Sequence, residues 1–72
     1  MGGELRAQVR EALAALPHDY REVLRLAREQ RRGLKEVATL MGRSHEATKK
    51  LYGRAVRRFR EALRALRGES ED

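Results

Sequence analysis

Gly42 constrains the fold of this 72-residue chain more than any other residue. Small and apolar side chains recur at helical spacing on both sides of it, at Val37, Ala38, Met41, Thr48 and Leu51. If two helices meet at Gly42, these side chains lie on facing sides of the pair. Gly42 can adopt the positive φ that a sharp turn between helices requires, and Ala38 is small enough to let the helices approach closely. The spacing over residues 34–54 therefore predicts a helix-turn-helix.

The residues after the turn predict where the second helix begins and which side chains it exposes. Ser44 stands at the N-cap position, where its hydroxyl can accept a hydrogen bond from an amide two or three residues further on. In a helix-turn-helix the outward face of the second helix enters the DNA major groove. The residues predicted to read DNA bases from that face are His45, Glu46, Lys49, Lys50 and Gly53.

The chemistry of these side chains suits base recognition. Lys49 and Lys50 can each donate to guanine O6 and N7, and Glu46 can accept from the amino group of cytosine. His45 can donate to a base edge or to a phosphate. Gly53 costs up to about 1 kcal/mol in a helix relative to alanine, and its missing side chain allows a partner to approach closely. The sequence leaves open which of the two lysines reads a base.

A second set of residues is predicted to contact DNA phosphates. The unpaired amides and positive dipole end of the helix after Ser44 form a phosphate site, and Arg43 lies beside it. The residues predicted to contact phosphate are Arg31, Arg32, Arg43, Ser44, Arg54, Arg57 and Arg58, with Arg28 and Lys35 as further candidates. For each of them the alternative interpretation is an ordinary exposed side chain.

The charge of the chain is unevenly placed along its length. The formal net charge is +6, yet residues 28–60 hold eleven Lys or Arg against three Glu, a net of +8. Residues 1–27 are neutral overall, and residues 61–72 carry −2. A basic stretch that coincides with the helix-turn-helix indicates a polyanionic ligand. The alternative is a solvated surface that happens to be rich in arginine.

The pattern as a whole predicts an all-α fold of four helices in one domain over residues 1–67, followed by an acidic, frayed tail over 68–72. The helices are expected at about Glu4–Ala15, His18–Gln30 and Leu34–Met41, with a fourth that begins after Ser44 and continues to about Leu66. Pro17 separates the first two helices, and Gly33 is a passable N-cap for the third. The inward-facing residues predicted beyond the turn are Leu5, Val9, Ala12, Leu13, Leu16, Tyr20, Val23, Leu24, Ala27, Tyr52, Ala55, Phe59, Leu63 and Leu66.

The residue types present exclude several classes of function. The chain contains no cysteine, so disulfides and thiolate metal sites are ruled out. His18 and His45 lie in different helices without metal-ligand spacing, and there is no glycine-rich phosphate loop, so neither an enzyme nor a cofactor is expected. No apolar run has membrane-spanning length and no secretory h-region is present, which predicts a soluble, intracellular protein.

Three segments of the chain together resemble a known family: ALAALPHDYREVLRL, EVATLMGRS and ATKKLYGRAVRRFREAL. In this order and separation they are similar to region four, the C-terminal promoter-binding domain of bacterial sigma factors, and in particular to the extracytoplasmic-function group. The likeness covers about Ala14 to Leu66. It implies a transcription domain acting on the nucleoid in the bacterial cytoplasm, in which Lys49, Lys50, Gly53 and Arg54 occupy positions that read the −35 promoter element.

The chain also departs from that pattern. Thr48 stands where the family has valine or isoleucine, Arg43 where an apolar residue is common, and Arg31 and Arg32 where a glycine and an apolar residue are usual. The polymerase-engaging sigma domain lies upstream in the family, so we expect an excised domain, a stand-alone relative or an engineered use of the scaffold. The prediction is a monomer that binds double-stranded DNA sequence-specifically and has no membrane partner. The rival is an interaction module that docks an acidic partner such as the RNA polymerase flap or an anti-sigma factor.

Overall fold

A computed structural model of the chain describes residues 2–29 and 33–68. Within these ranges the chain forms four α-helices: α1 (Gly2–Ala14), α2 (His18–Glu29), α3 (Leu34–Met41) and α4 (His45–Arg67). The all-α prediction is confirmed, and the bounds of α3 agree with those expected from the sequence. The predicted contacts of Arg31 and Arg32, the last residue expected for the second helix and the predicted fraying over 69–72 lie outside the described residues.

Local chemistry sets the break between α1 and α2. The amide of Leu16 donates to the Leu13 carbonyl at 3.1 Å, which closes the last turn of α1. Pro17 then disfavours helical geometry in the residue before it. The carbonyl of Pro17 accepts from the Arg21 amide at 3.1 Å, so the first turn of α2 begins at the proline itself.

The centre of the fold lies where α4 crosses the other three helices. α4 packs against α1, α2 and α3, and α2 also packs against α3. Val23, Val37 and Ala55 are completely buried at this crossing. Ala38 is 4% exposed, so its small side chain is buried, as the helix-turn-helix spacing predicts. Leu26 and Leu34, which the sequence analysis did not place in the core, are partly buried against the same cluster.

Two of the predicted inward residues are exposed in the structure. Leu5 is 57% exposed and Leu66 is 40% exposed. Leu5 is in the first turns of α1 and Leu66 in the last turn of α4, where no neighbouring helix covers them. Apolar residues at helical spacing show which face of a helix points inward, but not how far along that helix the neighbouring helix extends. The predictions that Leu5 and Leu66 face inward are therefore wrong.

The shape of the molecule limits how much it can bury. Its principal extents are 37 × 26 × 17 Å, so it is little more than one helix pair thick in its shortest direction. Among residues 2–29 and 33–68, no helix is long and apolar enough to cross a membrane.

Candidate nucleic-acid interface

The turn between α3 and α4 depends on the backbone of Gly42. Gly42 has φ 67° and ψ 32°, in the left-handed region, which confirms the predicted positive φ. Its amide donates to the Thr39 carbonyl at 3.2 Å, and the Arg43 amide donates to the Ala38 carbonyl at 3.0 Å. These two bonds close α3 with a Schellman motif. A Cβ on Gly42 would meet no atom within 4 Å, so backbone conformation rather than space requires the glycine.

Ser44 caps the N-terminus of α4 in the way its position predicts. Its Oγ accepts a hydrogen bond from the Ala47 amide at 3.0 Å. Its carbonyl accepts from the Thr48 amide at 3.0 Å and from the Thr48 hydroxyl at 2.8 Å. The hydroxyl of Thr48 is therefore satisfied although the side chain is completely buried. Together these bonds fix the direction in which α4 leaves the turn.

The residues predicted to read bases lie together on one exposed face of α4. An α-helix advances about 100° per residue, so Glu46, Lys50 and Gly53 fall on the side opposite buried Thr48 and Ala55, and His45 and Lys49 lie toward one edge of that side. All of them are exposed: His45, Glu46, Lys49, Lys50 and Gly53. The base contacts themselves stay predictions. We call this set, together with the helix surface between its members, the recognition face.

The two lysines of the recognition face differ in their surroundings. Lys49 Nζ lies 3.5 Å from Glu46 Oε2, one turn earlier on the helix. The two side chains are 53% and 74% exposed, so this ion pair is worth at most about 1 kcal/mol and a ligand can replace it. Within the part of the chain that the structure describes, Lys50 makes no ion pair.

Gly53 has no role in the packing of the domain. A Cβ built on Gly53 would meet no atom within 4 Å, and its φ lies outside the left-handed region. Alanine at this position would fit and would favour the helix by up to about 1 kcal/mol. The glycine therefore leaves a local gap in the recognition face that the fold does not need.

The described residues predicted to contact phosphate include two groups of arginines. Arg54, Arg57 and Arg58 are exposed along α4, and Arg57 continues the recognition face. Arg43 is exposed beside the turn, but its Nη2 lies 2.7 Å from Oδ2 of Asp19 in the first turn of α2. Since 24 residues separate this pair, no local sequence signal predicts it.

Electrostatic pairing also neutralises part of α2. Nη2 of Arg25 lies 2.9 Å from Glu22, and its Nη1 lies 3.1 Å from Glu29. The hydrogen bond and charge of Glu22, reinforced by Glu29, raise the pKa of Arg25 above its usual value. Glu22 lies three residues before Arg25 and Glu29 four residues after it, so helical spacing in the sequence alone could have predicted both pairs. Among the described residues, six cations without an ion pair lie on α4, and five lie on the other three helices.

A groove of about 580 Å³ lies between α1, α2 and α4. Its apolar lining comes from four residues predicted to be core, which are instead partly buried: Val9, Leu13, Leu24 and Phe59. Arginines on α2, including Arg21 and Arg28, lie along its rim. Phe59 follows Lys50 by nine residues, or two and a half turns, so the groove and the recognition face lie on opposite sides of α4.

A helix-turn-helix with a capped second helix and an exposed, basic outer face defines a DNA-binding domain of the all-α class. The model of the family described as sigma-70, region 4 matches residues 6–59. The chain therefore belongs to the sigma-70 region 4 family, whose members are non-enzymatic promoter-binding domains of transcription sigma factors. No curated protein and no solved structure was found to match the chain.

Proposed function

We propose that this chain binds double-stranded DNA sequence-specifically, as a monomer, with the recognition face of α4 in the major groove of a −35-type promoter element. The observation that carries the proposal is the geometry around Gly42. The left-handed turn and the Ser44 cap orient a helix whose outward side is basic and whose inward side is held by Thr48 and Ala55. This arrangement is what helix-turn-helix proteins use to present a recognition helix.

Within this proposal, Lys50 is the principal base-reading residue. Its amine has no competing partner among the described residues, and it lies one turn into the helix, where a major-groove helix meets base edges. Lys49 and Glu46 read neighbouring positions after their ion pair opens, and His45 contacts a base or phosphate at the groove edge. Gly53 lets the backbone of α4 approach the bases.

Phosphate contacts hold the helix in register. Arg54, Arg57 and Arg58 serve this role along α4, while Arg43 and Ser44 flank the phosphate site formed by the amides of its first turn. The hydroxyl of Ser44 accepts the capping bond, so its own proton remains available to a phosphate oxygen. Arg31 and Arg32, which precede α3 in the sequence, belong to the same proposal.

Selection from a random duplex pool tests this function. We expect the chain to enrich one short sequence, because Lys49, Lys50 and Glu46 present both donors and an acceptor to base edges. Recovery of a pool that remains random, with all duplexes bound equally, would contradict sequence-specific binding. The same chain with Lys50→Ala is the matched control and should enrich that sequence less strongly.

A second function is favoured by the groove on the opposite side of α4. Its apolar floor and its rim arginines Arg21 and Arg28 suit an amphipathic helix with acidic flanks, such as a segment of RNA polymerase or an anti-sigma factor. Reversing both charges, Arg21→Glu with Arg28→Glu, should weaken retention of the chain on immobilised core RNA polymerase. Unchanged retention would contradict docking through this groove. The two functions use different surfaces and are compatible.

A further inference from the structure

The recognition face of α4 continues well beyond the helix-turn-helix. The motif ends at residue 54, but α4 extends to Arg67 and contains 23 residues. After Gly53, exposed arginines follow at helical spacing on the same side of the helix, at Arg57, Arg60 and Arg64. We call these three residues the distal strip. The inward side of the same segment packs against the other helices, so the distal strip and the groove between α1, α2 and α4 lie on different sides of α4.

The distal strip is not neutralised by the rest of the protein. Over residues 2–29 and 33–68, none of its three arginines makes an ion pair, whereas Arg25 and Arg43 both do. Glu61 lies four residues after Arg57 and three before Arg64 but makes no ion pair with either of them among the described residues, so the strip and Glu61 together carry a net charge of +2. A solvated helix face ordinarily alternates charges that pair at i+3 or i+4. The distal strip therefore presents an excess of positive charge.

A shallow depression lies in the surface among the three arginines of the distal strip. It has a volume of about 360 Å³ and begins at Gly53, where the missing side chain leaves the surface low. Val56 and Glu61 line it together with the three arginines of the distal strip. Arginine forms two parallel hydrogen bonds to a phosphate, so a depression walled by guanidinium groups suits a sugar-phosphate backbone.

The distance along α4 from Lys50 to the distal strip determines which part of a duplex the strip can contact. At 1.5 Å per residue, Arg60 lies roughly 15 Å and Arg64 roughly 21 Å along the helix axis from Lys50. The major groove is only about 12 Å wide. With Lys50 at the base edges and α4 running across the groove, both distances exceed the groove width, so the two arginines can reach only phosphates outside the base-read sequence.

We propose that the distal strip binds the phosphate backbone of duplex DNA that flanks the recognised element, and so extends the contact beyond the base-read sequence. This inference rests on the proposed function. The family match ends at Phe59, so Arg60 and Arg64 lie outside the matched region. The extended contact is thus inferred from this chain's own residues.

Two duplexes of different length test the proposal. One carries the selected sequence with flanks of about ten base pairs, roughly one helical turn, on each side, and the other is trimmed to the selected sequence. The variant is Arg60→Ala with Arg64→Ala. The matched control is Arg6→Ala with Arg10→Ala, which removes the same charge from exposed positions on α1. Helical circular dichroism establishes that both variants are folded.

We expect the distal variant to bind the long duplex about threefold to tenfold more weakly than the unchanged chain, and the trimmed duplex equally well. The slope of log K against log salt on the long duplex should become shallower by about 1.8, for two lost phosphates. The α1 control should change neither quantity by a comparable amount.

Three results would overturn the inference. Unchanged affinity of the distal variant for the long duplex would show that the strip does not touch flanking DNA, and so would an equal loss on both duplexes. A loss confined to binding of an acidic protein partner would assign the strip to protein docking. If the unchanged chain does not distinguish the trimmed selected sequence from a scrambled one, the proposed function itself fails.

Discussion

Thr48 carries the buried polar group nearest to the turn, and its hydrogen bonds explain how the core tolerates it. Its hydroxyl and its amide both donate to the Ser44 carbonyl, so that carbonyl keeps one partner if the hydroxyl is removed. The same carbonyl belongs to the residue that caps α4. We therefore expect the fold to tolerate loss of the hydroxyl, in keeping with the apolar side chain that the resemblance implies at this position.

Thr48→Val should leave the free energy of unfolding within about 1 kcal/mol of its original value. The lost hydroxyl bond contributes a net of roughly 0.5–1.5 kcal/mol, and burial of the added methyl group offsets about 0.8 kcal/mol. Urea denaturation followed by circular dichroism measures the difference. A loss well above 2 kcal/mol would mean that the hydroxyl bond fixes the turn.

Asp19 forms an ion pair with Arg43, which we propose contacts a DNA phosphate. Because Asp19 holds Arg43 at 2.7 Å across the exposed surface, Asp19→Asn should free the guanidinium for phosphate. We expect about twofold to threefold tighter binding to selected and scrambled duplexes alike, since a phosphate contact carries no sequence information. Glu22→Gln is the control, because it removes the same charge beside Arg25 on α2, which Glu29 still holds. Equal gains from both variants would show a general charge effect instead.

At the scale of the elements, the packing of α3 against α4 positions the recognition face. Ala38→Leu should destabilise the domain by about 1–3 kcal/mol, since the larger side chain has to be accommodated where the two helices cross. Leu40→Ala is a suitable comparison, because Leu40 is on the same helix and is 55% exposed. A thermal melt in which Ala38→Leu is unchanged would place the crossing elsewhere.

The elements also show what the sequence could predict. The bounds of α3 and the start of α4 follow from Gly42 and Ser44, whose turn and cap chemistry is local. The exposure of Leu5 and the pairing of Arg43 with Asp19 depend on which helices meet in three dimensions, and no local pattern encodes that. The side of α4 that faces outward was predictable, because it follows from helical periodicity. The sequence did not predict that Lys49 pairs with Glu46 while Lys50 makes no ion pair among the described residues.

For the whole molecule, the distribution of charge predicts how binding responds to salt. Residues 28–60 carry a net of +8, and on α4 the cations are largely unpaired. Contacts to about five to seven phosphates should make log K fall with log salt at a slope of roughly −5 to −6. Titrations of one duplex at several salt concentrations give the slope. An affinity that stays flat from low to moderate salt would contradict DNA binding.

Base reading by the recognition face is the central claim, and Lys50→Ala tests it against Arg57→Ala. Affinities are measured for the selected duplex and for a scrambled duplex of the same composition. We predict that Lys50→Ala costs about 1–3 kcal/mol on the selected duplex and much less on the scrambled one, while Arg57→Ala weakens both alike. Equal losses on the two duplexes for Lys50→Ala would contradict base reading by Lys50. If Lys49→Ala also weakens both equally, α4 does not read sequence.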